Sequence, residues 1–381
     1  MDGLRLKILY ISRGYNTHDH RFLGSFVGAG WETSFLPLLN ERLDSRPVPG
    51  GVSTIPWPYS VEPVTRRDWV DRKAALGEVL AQTNASVVIA GPVQSGAFLA
   101  ALAGAARLVT VSWGSDMLVD ADTTAFMRFA TRYALSRSDA VFGDCRAVRE
   151  AVHRHSSLAD AAIVTFPWGI DLAHFSPGSS SLSLRRKLGW TDNEVFISTR
   201  SWERVYAIDV LIRAFARLRH TRPEARLLLL GDGSLRNDVN RLVDQHELRE
   251  FVHFAGRAPH AGLVDYFREA DVYVSSALSD GTSVSLLEAM SCGLPVVAAS
   301  GHGNLEWIEP GVNGALATPG DAEALATAML SVMGNPRLRA AMGEANRSLV
   351  RKRANWNDNF PQLVSAVEML ASNDKLVSES R

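Results

Sequence analysis

Short runs of apolar residues alternate with longer amphipathic stretches along most of the chain. Runs that are apolar throughout are typical of strands buried on both faces, as in parallel sheets whose crossovers are helices. The pattern therefore predicts parallel strands in both halves of the chain. The predicted strands are Lys7–Ser12, Thr33–Leu38, Ser86–Ala90, Arg107–Ser112 and Asp139–Gly143 in the first half, and Val195–Thr199, Arg226–Leu230, Phe251–Ala255, Asp271–Ser275 and Pro295–Ala299 in the second.

Amphipathic stretches such as Ile208–His220, Leu235–Gln245 and Leu263–Ala270 lie between these runs and predict helices. The alternation indicates an α/β fold with two Rossmann-like domains. A serine-rich segment with Pro177 and Gly178, within Asp171–Leu184, is typical of a linker. We expect a first domain over residues 1–175, a second over 176–355, and a C-terminal segment over 356–381 that contains an amphipathic helix at 357–370.

Composition supports two domains of ordinary size, since 381 residues are many for one core. The formal net charge is −1, so the overall charge of the chain does not favour binding to nucleic acid or to an acidic membrane. Cys145 and Cys292 are far apart and lack metal-site spacing, so we expect reduced, buried thiols of a cytoplasmic protein. We expect no signal peptide, because the first apolar run is too short. The uncharged stretch after Glu78 contains Gly91 and Pro92, which favours a strand, a turn and a helix over a membrane span.

The segment from Ser279 to Val297 contains the strongest candidates for a ligand-binding site. It follows a predicted parallel strand, and ligands bind in such sheets at the carboxyl ends of strands. Gly281 permits close backbone approach, Thr282 and Ser283 are N-cap residue types, and a helix is expected from Val284. The free N–H groups and dipole at the start of that helix predict a site for a diphosphate.

Glu288 lies in an apolar part of this segment, where a carboxylate is costly unless it is hydrogen-bonded. A ribose diol would supply two donors to it, and Asp280, before the helix, would reach the sugar hydroxyls. The alternative is structural: Ser285 and Glu288 have capping-box spacing, in which Glu288 only closes the start of the helix.

As a whole, the segment resembles the retaining glycosyltransferases of family 4, which have the GT-B fold of two Rossmann-like domains facing a cleft. Their signature is Glu, seven residues and Glu, followed by Ala-Met-Ala-Xaa-Gly-Xaa-Pro-Val-Val. Here Asp280 occupies the position of the first Glu and Glu288 that of the second, and Ala289–Val297 matches the rest of the signature closely. The resemblance implies that Asp280, Arg200 and Glu288 are catalytic, and that the last helix crosses back to the first domain.

Other segments extend the resemblance over most of the chain. Phe166–Asp171 is similar to the family's interdomain segment, and later motifs match at Asn304–Trp307 and Gly311–Gly314. The resemblance implies that the first domain binds the acceptor and the second the nucleotide-sugar donor. The implied donor-binding residues are Arg204, Gly231, Asp232, Gly233, Arg257, Gly281, Thr282, Ser283, Val284, Ser285 and Glu288.

The chain departs from the family pattern at two places. The family has a Lys-Gly pair that serves the diphosphate, where this chain has Tyr206-Ala207, and Arg204 is the nearest residue to supply the missing charge. Many members have a His that contacts the donor sugar, where this chain has Trp113.

A sugar or acceptor site in the first domain is expected near Trp113, Asp116, Gly14, His18 and Asp19. His18 and Asp19 could assist an acceptor hydroxyl, or could equally belong to an ordinary solvated loop. The resemblance implies sugar transfer from a nucleotide diphosphate sugar, a UDP-sugar before a GDP-sugar, with retention and without a metal or other cofactor. The acceptor would be a glycan, a lipid-linked molecule or a small molecule, with peripheral membrane contact and no nucleic acid as partner. A catalytically silent nucleotide-sugar binding protein and, less favoured, a GT-B sugar phosphorylase remain as alternatives.

Overall fold

All ten apolar runs form parallel strands in the computed structural model, which describes the backbone of residues 6–378 and the side chains of residues 6–372. Within that range there are two parallel sheets, of seven and six strands. The first has the order β3-β2-β1-β4-β5-β6-β7 and the second the order β10-β9-β8-β11-β12-β13. The strands are β1 (Lys7–Ser12), β2 (Glu32–Pro37), β3 (Val52–Thr54), β4 (Val87–Ala90), β5 (Leu108–Val111), β6 (Ala140–Gly143), β7 (Ile163–Thr165), β8 (Val195–Ser198), β9 (Arg226–Leu230), β10 (Val252–Gly256), β11 (Val272–Ser275), β12 (Val296–Ala299) and β13 (Gly314–Ala317).

Three strands were not predicted, namely β3, β7 and β13. Each is three or four residues long, lies at the edge of its sheet and is partly exposed. Strands this short give an apolar run of too few residues to be distinguished from a loop.

Helices connect the strands and cover both sheets. The predicted helix from Val93 begins as a π-helical turn, Val93–Ala97, before it becomes α-helical. The helices are α1 (Thr17–Gly28), α2 (Arg66–Thr83), α3 (Phe98–Ala103), α4 (Ser115–Leu118), α5 (Ala125–Ser136), α6 (Arg146–His155), α7 (Leu184–Lys187), α8 (Ile208–Thr221), α9 (Arg236–Gln245), α10 (His260–Phe267), α11 (Val284–Ser291), α12 (Ala322–Val332), α13 (Pro336–Arg353) and α14 (Trp356–Ser378). Within residues 6–378, no helix combines the length and the hydropathy that crossing a membrane requires.

The chain divides into two units. The first contains the residues up to Pro167 together with those from Asn359, and the second contains Trp168–Asp358. The first boundary thus precedes the serine-rich segment, whereas the sequence placed it at residue 175. The reason is that Ile170 bridges to Asn355 and Phe175 is buried in the core of the second unit.

The return of the C-terminal helix to the first unit is confirmed. Phe360 packs against Phe22 and Phe26 of α1, with ring centroids 6.1 and 5.8 Å apart. Leu363 and Val367 of the same helix are fully buried. The amphipathic pattern of α14 therefore reflects its packing in the first unit.

In the second unit, α13 packs against α11 and the turn that follows it. Asn346 of α13 donates to the carbonyls of Leu294 and Asn313, each at 2.8 Å. Gly343 comes so close to this turn that a Cβ atom there would lie 2.0 Å from the carbonyl oxygen of Gly293. This backbone contact fixes the far end of α11, whose other end begins the candidate site.

Gly343→Ala should therefore destabilise the second unit, because the methyl group meets backbone that cannot rotate away. We expect a loss of about 1–3 kcal/mol in the free energy of unfolding, measured by denaturant titration. Gly262→Ala on α10 is the matched control, since a Cβ there meets nothing within 4 Å. It should leave stability unchanged or raise it by up to about 1 kcal/mol. Equal stability of the two variants would contradict the close packing of α13.

Candidate active site

The sheet of the second unit reverses its direction of winding between β8 and β11. From β8 the chain proceeds outward through β9 to β10, and from β11 it proceeds outward through β12 to β13. The loops at the carboxyl ends of the two central strands diverge at such a point and leave a crevice, which is where ligands bind in open α/β sheets. Arg200 follows β8 and Asp280 follows β11, so both flank this crevice.

Helix α11 begins at this crevice with Ser283 as its N-cap, and the Ser283 hydroxyl accepts a hydrogen bond from the backbone N–H of Leu286 at 3.4 Å. Because the cap is Ser283, Glu288 lies beyond the first turn and does not close the helix. The capping-box alternative for Ser285 and Glu288 is therefore wrong. The first N–H groups of α11 and its positive dipole end lie at the crevice, as the sequence predicts.

Arg200 brings the residues of this loop together. Its Nη2 lies 2.7 Å from Oδ2 of Asp280. Its Nη1 donates to the hydroxyls of Ser283, at 2.8 Å, and Ser285, at 3.0 Å. Ser285 is also hydrogen-bonded to the hydroxyl of Tyr273 on β11, at 2.8 Å. One guanidinium thus orders the carboxylate and the start of the helix.

The pair is largely buried, with side-chain exposures of 10% for Arg200 and 16% for Asp280. Burial raises the pKa of Asp280, and Arg200 only partly offsets this effect. Burial alone would lower the pKa of Arg200, but the charge of Asp280 raises it above its ordinary value. Arg200 therefore remains a cation at any physiological pH.

Several buried polar groups at the carboxyl ends of β8 and β11 lack a partner within residues 6–378. They are the Nε–H of Arg200 and the hydroxyls of Ser198, Thr199 and Ser275. Buried polar groups in proteins are normally hydrogen-bonded to protein, water or ligand. Their concentration at the crevice indicates a site for a polar molecule, and a charged donor such as Arg200 favours an anionic one.

Glu288 lies within α11, and its side chain is 5% exposed. Among the described residues its contact is His260, whose Nε2 lies 3.7 Å from Oε1 of Glu288. The His260 ring stacks on that of His174, with centroids 5.6 Å apart. His260 was not predicted from the sequence, although its position at the start of a helix just after β10 is a signal that could have identified it.

Tyr206 occupies the position where a lysine was expected from the resemblance. Its ring lies beneath Arg200, with the guanidinium carbon 4.0 Å from the ring centroid. Ala207 has φ 45° and ψ 47°, the left-handed conformation that glycine adopts without strain. Arg204 lies instead in an open groove with residues of α8 and α9, and no described contact joins it to Arg200.

The glycine-rich turn after β9 packs directly on the loop that follows β8. Gly231 has φ +114°, and a Cβ there would lie 2.4 Å from the carbonyl oxygen of Arg200. Gly233 approaches the backbone of Trp202 in the same way, while Asp232 pairs with Arg236 of α9. The turn thus supports the loop of Arg200, and Arg257, after β10, is exposed.

In the first unit, the acceptor-side candidates gather at the carboxyl ends of β1 and β5. The Trp113 ring packs against His18 and Phe22, with centroids 5.2 and 5.6 Å away. Gly14 lies against the next loop, where a Cβ would be 2.5 Å from the carbonyl oxygen of Glu41. Asp19 points inward: it is fully buried and accepts hydrogen bonds from the Tyr10 hydroxyl and the Asn16 N–H. The structure therefore does not expose a paired His18 and Asp19.

Asp116 is likewise buried and organises the loop that bears Trp113. Its carboxylate accepts hydrogen bonds from the Ser112 hydroxyl at 2.7 Å and from the backbone N–H groups of Trp113 at 3.0 Å, Val93 at 3.1 Å and Met117 at 3.0 Å. Burial raises its pKa to about 6, although these bonds act in the opposite direction. Asp116 thus positions the loop.

We expect a pH signature from Asp116. Its folded-state pKa exceeds the unfolded value, so its protonation stabilises the folded state below about pH 4, and this contribution is lost as the pH rises through about 6. Asp116→Asn removes that titration. The deficit in unfolding free energy of the variant should therefore be larger at pH 4 than at pH 7, by about 2 kcal/mol at 1.36 kcal/mol per pKa unit. Denaturant titrations at pH 4 and pH 7 measure this deficit. A deficit of the same size at both pH values would contradict the raised pKa of Asp116.

Comparison with known proteins agrees with this geometry. Residues 181–349 match the family model of glycosyl transferases group 1. The chain is 27% identical over 285 residues to a GDP-mannose-dependent alpha-(1-6)-phosphatidylinositol monomannoside mannosyltransferase of Mycolicibacterium smegmatis, covering 70% of this chain and 71% of that protein. In two other curated relatives, the matched region spans about half of the relative's length, 52% and 47%.

Solved structures resemble the chain over nearly its full length. Sucrose-phosphate synthase of Thermosynechococcus elongatus superposes with a TM-score of 0.80 at 20% identity, over 98% of this chain and 100% of that one. HepE of Anabaena, in complex with UDP and glucose, superposes with a TM-score of 0.78 at 18% identity, over 96% of this chain and 100% of that one. At these identities the likeness establishes the fold alone, and the family model describes residues 181–349 of the second unit. The chain thus has the GT-B fold, and its residues 181–349 match the family of glycosyl transferases group 1.

Proposed function

We propose that the chain transfers a sugar from a nucleoside diphosphate sugar to an acceptor hydroxyl, with retention of configuration at the anomeric carbon. The observation that supports this most strongly is the buried Arg200 cluster at the start of α11, with an unpartnered Nε–H facing a crevice. A diphosphate would satisfy that donor and the free N–H groups of the helix.

In this proposal, Arg200 and the N-terminus of α11 stabilise the negative charge that develops on the leaving diphosphate. Positive charge accumulates on the sugar as its bond to the diphosphate lengthens. Asp280, next to Arg200, orients the sugar hydroxyls and stabilises this charge. Since Arg200 already holds Asp280 and Ser283 in place, little reorganisation accompanies the reaction.

Glu288 is proposed to accept hydrogen bonds from the ribose hydroxyls. Its carboxylate is nearly buried, and Nε2 of His260 lies 3.7 Å from its Oε1. That distance exceeds a hydrogen bond, so the carboxylate retains unused acceptor capacity. His260 then keeps the carboxylate oriented toward the ribose.

Two donor bases are supported by different observations. The family resemblance favours a UDP-sugar, and the HepE structure contains UDP and glucose. The mycobacterial relative is named as GDP-mannose-dependent, which supports a GDP-sugar. Its acceptor is a phosphatidylinositol mannoside, so a lipid-linked acceptor joins glycans and small molecules as a candidate.

A donor screen tests the reaction. We expect release of nucleoside diphosphate from at least one member of a panel of UDP-, GDP- and dTDP-sugars, measured with and without candidate acceptors. Asp280→Asn should lower that turnover by about 10²-fold or more while the affinity for nucleoside diphosphate stays near wild type. The control is Asp238→Asn, which removes an exposed carboxylate of α9 and should leave turnover unchanged. Donor binding without any release by the wild type would favour the silent binding protein.

Glu288→Gln should weaken donor binding, because a neutral amide accepts less strongly and presents its own N–H groups to the ribose. We expect a rise of about tenfold in the donor dissociation constant, measured by calorimetry, with the thermal midpoint preserved. The binding of inorganic diphosphate, which lacks the ribose, should not change. An equal loss for both ligands would place Glu288 in a general structural role.

A further inference from the structure

The loop between β8 and α8 folds back on itself, so that an aromatic ring lies under the guanidinium of Arg200. Tyr206 follows Arg200 by six residues, and its ring centroid is 4.0 Å from the guanidinium carbon. A cation over the face of an aromatic ring is attracted by the quadrupole of the ring, and the attraction is larger where water is excluded. Because Arg200 is buried, we expect this contact to be strong.

The backbone of Tyr206 is fixed independently of the ring. Its carbonyl accepts a hydrogen bond from the hydroxyl of Ser276 at 2.9 Å. The carbonyl of the preceding residue, Val205, accepts one from the backbone N–H of Leu278 at 2.8 Å. Both donors belong to the loop that follows β11. The turn that bears Tyr206 therefore attaches the two loops that flank the crevice to each other.

The residue after Tyr206 indicates that this placement is maintained against strain. Ala207 is in the left-handed region, which residues other than glycine rarely adopt, and α8 begins with the next residue. Backbone strain of this kind persists only where surrounding contacts hold it, and it is concentrated at functional sites. The path of the loop thus keeps Tyr206 under Arg200 in spite of an unfavourable conformation.

The other contacts of Arg200 leave one buried donor for a ligand. Nη2 pairs with Asp280, and Nη1 donates to Ser283 and Ser285. The Nε–H is buried and has no partner among the described residues. The direction of this donor depends on the orientation of the guanidinium, and the ring of Tyr206 lies against the guanidinium.

We propose that Tyr206 is a positioning residue for the diphosphate of the donor and that it acts through Arg200. The ring restrains the tilt of the guanidinium and excludes water from one side of it. The free Nε–H is then already directed when the diphosphate binds. Donors that are oriented in advance bind and stabilise a charged group without a cost of reorganisation.

The inference rests on the proposed diphosphate site, so the first test is calorimetry of inorganic diphosphate with the full chain. Tyr206→Leu replaces the ring by an aliphatic side chain. We expect it to raise the dissociation constant for diphosphate by about five- to thirtyfold, because a desolvated cation–π contact is lost. Tyr206→Phe keeps the ring and should bind diphosphate like wild type.

Tyr59→Leu is the matched control. The ring of Tyr59 lies 4.3 Å from the guanidinium carbon of Arg72, so the substitution removes the same kind of contact in the first unit. It should leave the affinity for diphosphate unchanged. Thermal unfolding verifies that the three variants are folded.

A second readout needs no ligand. The rate at which the Nε–H of Arg200 exchanges with water, measured by NMR in the free protein, reports how firmly the guanidinium is held. We expect slow exchange in wild type and in Tyr206→Phe, and exchange faster by about tenfold or more in Tyr206→Leu. The signal is identified by its loss in Arg200→Lys.

The role of Tyr206 is overturned by an unchanged exchange rate or an unchanged diphosphate affinity in Tyr206→Leu. It is also overturned by the same loss of affinity in Tyr59→Leu, or by a Tyr206→Phe variant that binds as weakly as Tyr206→Leu. Faster exchange in Tyr206→Leu, with a wild type that binds no diphosphate, would contradict the proposed function alone, since Tyr206 would still hold Arg200.

Discussion

The contact between Arg200 and Asp280 joins the loops that follow the two central strands of the second unit. The sheet itself leaves these loops apart, because the chain winds away from β8 and β11 in opposite directions. A buried ion pair at 2.7 Å, with two serine hydroxyls on the same guanidinium, holds them at one place. Ser283 and Ser285, at the start of α11, thus contact the same guanidinium as Asp280.

Glycines on either side of the pair allow this arrangement. Gly231 brings the turn after β9 against the carbonyl of Arg200, and Gly303 lies where a Cβ would be 1.9 Å from the carbonyl oxygen of Gly281. Each loop of the crevice is thus supported by a second loop at backbone distance. Side chains at either position would displace the charged groups, so the geometry of the site rests on residues that have no side chain.

Much of this could be predicted from the sequence. Central strands are recognisable as apolar runs because both faces of the sheet are covered. The bounds of β1 and β9 and the first residue of α11 were predicted closely. The edge strands β3, β7 and β13 were missed, since half-exposed segments of a few residues have no distinctive pattern. Arg200, Asp280 and Ser283 were identified from their positions after strands and from the family resemblance.

The direction in which a polar side chain points could not be predicted in the same way. Asp19 and Asp116 follow strands, as ligand-binding residues do, yet both are turned inward to bind backbone and hydroxyl groups. His260 contacts Glu288 although the two are far apart in sequence. Such contacts depend on tertiary packing, which spacing along one element does not encode.

Ala207 holds a backbone conformation that is normally adopted by glycine. The residue keeps φ 45° and ψ 47°, a conformation that costs an alanine about 1–2 kcal/mol and a glycine almost nothing. The backbone at positions 206 and 207 is therefore already shaped for a lysine followed by glycine. An engineer can introduce that pair by two substitutions without changing the backbone conformation at position 207.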